Sequence, residues 1–159
     1  MSIVNIALGA NIGEPAVSMR QAAERLGELG EVLKRSSIYR TKPWGLTEQP
    51  DFLNAVVQIE TNLAPGPLLK ELKSIEQQMG RTKAVRWGPR LIDLDILTYD
   101  SIVHSEPGLD IPHPRMLERS FVLVPLCEID QSELYANALQ TLTGGDTSQV
   151  WLSEFGWVD

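Results

Sequence analysis

A single cysteine in 159 residues excludes a disulfide framework, because Cys127 has no intramolecular partner. It sits in the apolar run that starts at Phe121, where a small buried side chain is expected rather than a nucleophile. Long hydrophobic runs are also missing: nothing approaches the roughly 18 apolar residues of a membrane span. The start, Met1-Ser2-Ile3-Val4-Asn5, carries no basic region or cleavage site, so a cytoplasmic, untargeted protein is the expectation. The two best-known phosphate-binding fingerprints are absent as well. Gly9 and Gly13 are not followed by a Lys-Ser/Thr pair, and no Gly-x-Gly-x-x-Gly occurs, so any nucleotide site is non-Walker and non-Rossmann. Positive charge is scarce, with 14 basic against 21 acidic residues and a net charge of −7. That disfavours nucleic acid polymers and anionic lipid, and a small anionic ligand needs a local basic site.

What is present is an ordinary globular composition, 43% hydrophobic and 22% charged, at the length of one domain, taken as residues 1–159. Residues 2–8 read as a strand ending in a glycine-marked loop. Pro15 then opens a helix whose Met19, Ala22, Ala23, Leu26 and Leu29 share one stripe, with Gly30 placed to stop it in a left-handed conformation. Residues 32–40 suggest a second strand. Residues 52–60 alternate, with Leu53, Ala55, Val57 and Ile59 on one face and Asn54, Gln58 and Glu60 on the other. Leu68, Leu72, Ile75 and Met79 mark a second helix before Gly80, and residues 92–99 mark a further strand. The order β-α-β-β-α-β predicts an α+β fold: a ferredoxin-like antiparallel sheet with helices on one face, followed by a C-terminal extension at 131–159.

Chemistry concentrates in residues 81–97. Arg81, Lys83, Arg86 and Arg90 put four cations and no acid into ten residues, on a stretch where Gly88 and Pro89 argue for a loop. Long arginines on a loop can close over a phosphate chain with bidentate hydrogen bonds. Asp93 and Asp95 are two apart on a strand, so their carboxylates leave the same face with Cα atoms roughly 7 Å apart. Such a pair supplies hard oxygen ligands for Mg²⁺. A basic loop alone is usually solvated, and polar residues on an open strand face are routine, but Leu97 and Tyr99 continue the parity of the two aspartates. Loop and acid pair together offer both halves of a metal-nucleotide clamp. Phe52 and Asn54 share a strand face, an aromatic plane beside a two-way amide that suits a planar heterocycle. His113, between two prolines, reads as a rigid turn or as a phosphate contact, with Arg119 and Phe121 just beyond it.

These residues resemble the 6-hydroxymethyl-7,8-dihydropterin pyrophosphokinase family of folate biosynthesis. The likeness rests on Arg86-Trp87-Gly88-Pro89-Arg90-Leu91-Ile92-Asp93-Leu94-Asp95-Ile96-Leu97. Supporting blocks are Leu8 to Gly13, Ser37 to Thr41, Gln49 to Ala55, and Pro112 to Arg115 with Arg119 to Phe121. Ala10, Lys83 and Trp44 depart from the family's usual residues.

The resemblance implies transfer of pyrophosphate from ATP to the pterin hydroxymethyl group, with AMP released and two Mg²⁺ ions held by Asp93 and Asp95. It implies Arg81 and Arg90 as the catalytic cations, and Glu76, Arg86, Arg90, Ile96, His113 and Arg119 as the ATP set. Thr41, Phe52, Asn54, Trp87 and Phe121 would hold the pterin. Residues 42–51 and 81–89, polar and marked by proline and glycine, are expected to close over both substrates. A monomer acting on small molecules is the expectation. The other class left open is a ferredoxin-like module binding single-stranded nucleic acid or a regulatory ligand through the basic loop and aromatics, against which the acidic bulk counts. From Ser120 to Asp159 there are six acids and no lysine or arginine, which leaves residues 1–119 a net charge of −1. A nearly neutral body with a basic loop suits a small, magnesium-bound polyphosphate.

Overall fold

The computed structural model describes residues 1–43, 48–80 and 91–158 of the chain. Strand β1 (Ser2–Ala10) runs through the centre of an antiparallel sheet, and its Val4, Ile6, Leu8 and Ala10 all turn to one face and are buried. It pairs on one side with β4 (Phe52–Thr61), whose Leu53, Ala55, Val57 and Ile59 join the same core, and on the other with β5 (Asp93–Tyr99). Beyond β4 lie β2 (Glu31–Arg35) and β3 (Tyr39–Thr41), and β3 pairs in turn with β8 (Val150–Leu152). The strand order is β5-β1-β4-β3-β8, with β2 also on β4. Strands β6 (His104–Glu106) and β7 (Leu109–Ile111) form a separate hairpin.

Helix α1 (Pro15–Leu26) and helix α2 (Pro65–Gln78) both open on a proline, whose missing N–H costs nothing in a first turn. Met19, Ala22 and Leu26 of α1 and Leu68, Leu72 and Ile75 of α2 pack on the sheet's apolar face, each large side chain contributing about 1.5–3 kcal/mol by burial. The expected single helical layer is incomplete, however. Helix α3 (Ser120–Ile129) lies on the opposite face, where Val122, Leu126 and Ile129 meet Val56 and Leu97, and helix α4 (Glu133–Thr143) packs against α3. The result is a mixed α/β structure with helices on both faces. Among the described residues, no helix is long and apolar enough to cross a membrane.

Three local expectations change. Helix α1 ends at Leu26, and Gly30 does not adopt a left-handed conformation. Gly30 serves close approach instead: a Cβ there would lie 2.2 Å from the Glu60 carbonyl oxygen. The expected strand over 32–40 is two strands, because β4 changes partner where Ser36 donates its N–H to the Val56 carbonyl and its Oγ accepts from the Val56 N–H. Finally, Leu97 and Tyr99 do not share a face. Asn5 pairs with Thr98 and Ile6 with Ile96, so Leu97 is the extra residue of a β-bulge. Leu97 stays on the α3 side while Tyr99 turns into the main core.

Candidate active site

The sheet face opposite α1 and α2 is where the polar residues collect. Gly9 of β1 pairs with Asn54 on one side and Asp93 on the other; one pair along, Ala7 lies between Val56 and Asp95. Two strand spacings of about 4.8 Å therefore separate the aspartates from the Asn54 amide, with only small side chains between them. The gap has little room to shrink, since a Cβ on Gly9 would sit 3.2 Å from Asn54 Oδ1. On the next strand Thr41 stands opposite Phe52. Asn54 Nδ2 donates to Thr41 Oγ1 at 2.8 Å, which orients both polar groups at a buried position.

The aspartate strand is braced from outside the sheet. β5 is an edge strand, and the outward N–H of Leu94, between the two aspartates, donates to Glu76 Oε2 at 2.8 Å. Glu76 is only 2% exposed, and its Oε1 lies 3.5 Å from Lys73 Nζ. Its carboxylate thus spans α2 and β5 rather than facing the open side. Ile96 is likewise in the main core, 3% exposed, on the face away from Asp93 and Asp95. A ligand would meet it through its main chain.

His113 is brought beside the aspartates by its own N–H, which donates to the Leu97 carbonyl at 2.8 Å. Its Nδ1 accepts from the Arg115 N–H at 3.2 Å, so a neutral ring carries its proton on Nε2. Burial pushes the imidazole below its ordinary pKa, Asp95 opposes this, and Arg119 and Arg115 reinforce it. Burial also lowers Arg119, against the pull of Asp95 and Asp93. The Arg119 guanidinium stands 5.7 Å from the Phe121 ring centroid, at the N-terminal end of α3.

Asp93, Asp95, His113, Arg119 and Phe121 are therefore gathered at one end of this face, with Phe52 and Asn54 two strands away on β4 and Thr41 three strands away on β3. Arg81, Arg86, Trp87 and Arg90, with the basic loop they belong to, lie outside the described residues, as does Trp44. Sequence reasoning gave no separate role to Asn11, which is 1% exposed and donates from Nδ2 to Gln49 Oε1 and the Pro50 carbonyl, tying the end of β1 to the segment that enters β4. Its placement directly after the strand was the available signal. Cys127 is half-buried rather than fully buried, and burial followed by Asp130 pushes its thiol above the ordinary value.

The profile of the 7,8-dihydro-6-hydroxymethylpterin-pyrophosphokinase family matches residues 5–131. The chain belongs to that family. It is 44% identical over 157 residues to the 2-amino-4-hydroxy-6-hydroxymethyldihydropteridine pyrophosphokinase of Bacillus subtilis, covering 98% of this chain and 93% of the relative. Identity to the enzyme of the same name from Methylorubrum extorquens is 47% over 156 residues, covering 97% and 94%. Among solved structures, Plasmodium falciparum HPPK-DHPS of wild-type sequence superposes with a TM-score of 0.67 at 15% identity, over 90% of this chain and 45% of that one. At that identity the likeness speaks for the fold alone, and this pyrophosphokinase-family chain spans less than half of the larger protein. The family profile stops at residue 131, before α4 and β8.

Proposed function

We propose that this pyrophosphokinase-family protein transfers pyrophosphate from ATP to the hydroxymethyl group of 6-hydroxymethyl-7,8-dihydropterin, releasing AMP, on the face that carries Asp93, Asp95 and Asn54. We read the supporting frame, residues 2–99, as ferredoxin-like βαββαβ with its second strand divided into β2 and β3, and α3, α4 and β8 as additions to it. The observation that carries the reading is the register across β5, β1 and β4. It sets a carboxylate pair and a hydrogen-bonding amide on one face, separated only by Gly9 and Ala7.

The donor set fits magnesium. Two half-buried carboxylates on one strand face supply hard oxygen donors of the kind Mg²⁺ takes, one or two carboxylates plus phosphate and water. Asp93 and Asp95 would hold the two ions, which would supply charge neutralisation for a polyphosphate. His113 Nε2–H and Arg119 would donate to phosphate oxygens beside the aspartates. On the other side, Asn54 and Thr41 would hydrogen-bond the pterin edge, while Phe52 and Phe121 would flank its ring. Arg81, Arg90, Arg86 and Trp87 belong to the same reading as the cations and the indole that close over the substrates. Catalysis of this kind is positioning and electrostatics, with little covalent work for side chains. Glu76 would act on ATP through β5 rather than by direct contact.

Product analysis tests the reading. Incubated with Mg²⁺, ATP and the hydroxymethyl dihydropterin, the protein should release AMP in step with pterin consumption, and Asp95→Ala should lower the rate by orders of magnitude. Release of ADP, or an unchanged rate in Asp95→Ala, would refute it.

A further inference from the structure

Between β2 and β3 the chain leaves regular pairing for three residues, Ser36 to Ile38, just before the strand that carries Thr41. A link of this kind must satisfy its backbone groups individually, and here elements distant in sequence satisfy them. The Ser36 carbonyl accepts from Trp157 Nε1 at 2.8 Å. The Ser37 N–H and Oγ–H donate to Glu128 Oε2 at 2.8 and 3.2 Å. The Ile38 carbonyl accepts from the Ser153 N–H at 3.0 Å and from its hydroxyl at 2.7 Å. Immediately after the link, the Tyr39 hydroxyl donates to Glu128 Oε1 at 2.5 Å. Arg40 pairs with Glu154 and lies over the Phe155 ring, and Arg35 lies over Trp157.

Two devices thus hold the link. One is a single carboxylate on α3, Glu128. The other is a strap from Val150 to Trp157, which adds β8 to the outer edge of β3 and then crosses back over the link. The strap lies wholly beyond the residues matched by the family profile. Both devices meet the chain at its entry to β3, not along the aspartate strand, which lies at the far edge of the sheet. Glu128 has a second consequence. It sits seven residues along α3 from Phe121, roughly 10 Å, so anchoring α3 to Ser37 and Tyr39 sets the gap between Phe121 and the Thr41–Phe52 strand pair.

We propose that Glu128 and the strap of residues 150–157 are positioning elements for the pterin side of the site, setting pterin affinity without setting ATP affinity. The inference rests on the pterin reading of Thr41, Phe52, Asn54 and Phe121 given above. Burial and the neighbouring Glu128 hold the Tyr39 hydroxyl well above its usual range, so it remains a donor to the carboxylate at every pH at which the site would work.

The test compares wild-type protein with Glu128→Ala and Trp157→Ala. A non-hydrolysable ATP analogue with Mg²⁺ is titrated first, and the hydroxymethyl dihydropterin is then titrated into the saturated protein. Both variants should weaken pterin binding at least tenfold, leave the ATP analogue within twofold, and raise the pterin KM with kcat at saturation within threefold. Glu128→Gln keeps one acceptor and Trp157→Phe keeps the ring; each should weaken pterin binding by threefold or more, and they carry the same reading if the alanine variants do not fold. Folded variants that bind pterin as the wild type does, or that lose pterin and ATP affinity by equal factors, would overturn the proposal. A wild-type protein that binds no pterin would instead strike down the functional reading beneath it, and the first titration series separates the two.

Discussion

Glu76→Ala probes the brace on β5, the strand that carries Asp93 and Asp95. The residue is 2% exposed, and its Oε2 is the acceptor for the Leu94 N–H, on a residue that is itself fully buried. Removing it leaves that N–H without a partner away from water, at a cost of about 1–3 kcal/mol. Losing the desolvated carboxylate offsets part of this, so a net loss of about 2 kcal/mol is expected. For a chain of this size each kcal/mol shifts Tm by about 2–4 °C, which gives a fall of about 4–8 °C. Glu76→Gln keeps a carbonyl oxygen for the Leu94 N–H and should recover most of the loss. Function should follow geometry: with β5 unbraced between Asp93 and Asp95, the Mg²⁺ concentration for half-maximal activity should rise in Glu76→Ala and return towards the wild-type value in Glu76→Gln. Thermal unfolding by circular dichroism and a Mg²⁺ titration of AMP release measure both. An alanine variant with wild-type Tm and Mg²⁺ dependence would refute the assignment of Glu76 to the strand.

Gly30→Ala should cost about 1–3 kcal/mol in urea unfolding, because its Cβ would meet the Glu60 backbone, which cannot swing aside as a side chain can; a neutral result would contradict that packing. The Tyr39 hydroxyl is held above its ordinary value of 10.0, so an unfolded chain gives up this proton first. Its contribution is complete below pH 10 and declines as pH rises beyond it. Tyr39→Phe should flatten the alkaline limb of stability against pH, and an unchanged limb would exclude the group. Cys127, raised by burial and Asp130, should react with iodoacetamide at pH 8 more slowly in folded than in denatured protein; equal rates would contradict this.

Much of the frame was legible because local pattern and tertiary packing agree. The alternation through Leu53, Ala55, Val57 and Ile59 and the stripes of α1 and α2 each mark the buried face directly. The same parity argument placed Asp93 with Asp95 and Phe52 with Asn54. It failed at Tyr99, four residues past Asp95, since a bulge at Leu97 is a property of pairing with β1 and leaves no mark in one strand's sequence. Helix α3 was hidden for a different reason: its run is apolar nearly all round and contains Pro125, so it shows no helical period. The break at Ser36 to Ile38 was invisible because the groups that meet it, Val56 at Ser36 and then Glu128, Ser153 and Trp157, are 20 to 121 residues away. The family resemblance placed Glu76 in the ATP set, but helix position alone left it a solvated carboxylate, and its contact with Leu94, 18 residues on, gives it a bracing role on β5.

The central claim is that one sheet face holds two separable halves, metal and nucleotide at Asp93 and Asp95, pterin at Asn54. Calorimetric titration of Asn54→Ala and Asp95→Ala measures it most directly, with the ATP analogue and Mg²⁺ added first and the pterin second. The account predicts that Asn54→Ala binds the nucleotide as the wild type does and loses pterin affinity, whereas Asp95→Ala loses the Mg²⁺-dependent part of nucleotide binding. Equal loss of both ligands in Asn54→Ala, or wild-type nucleotide binding in Asp95→Ala, would contradict it.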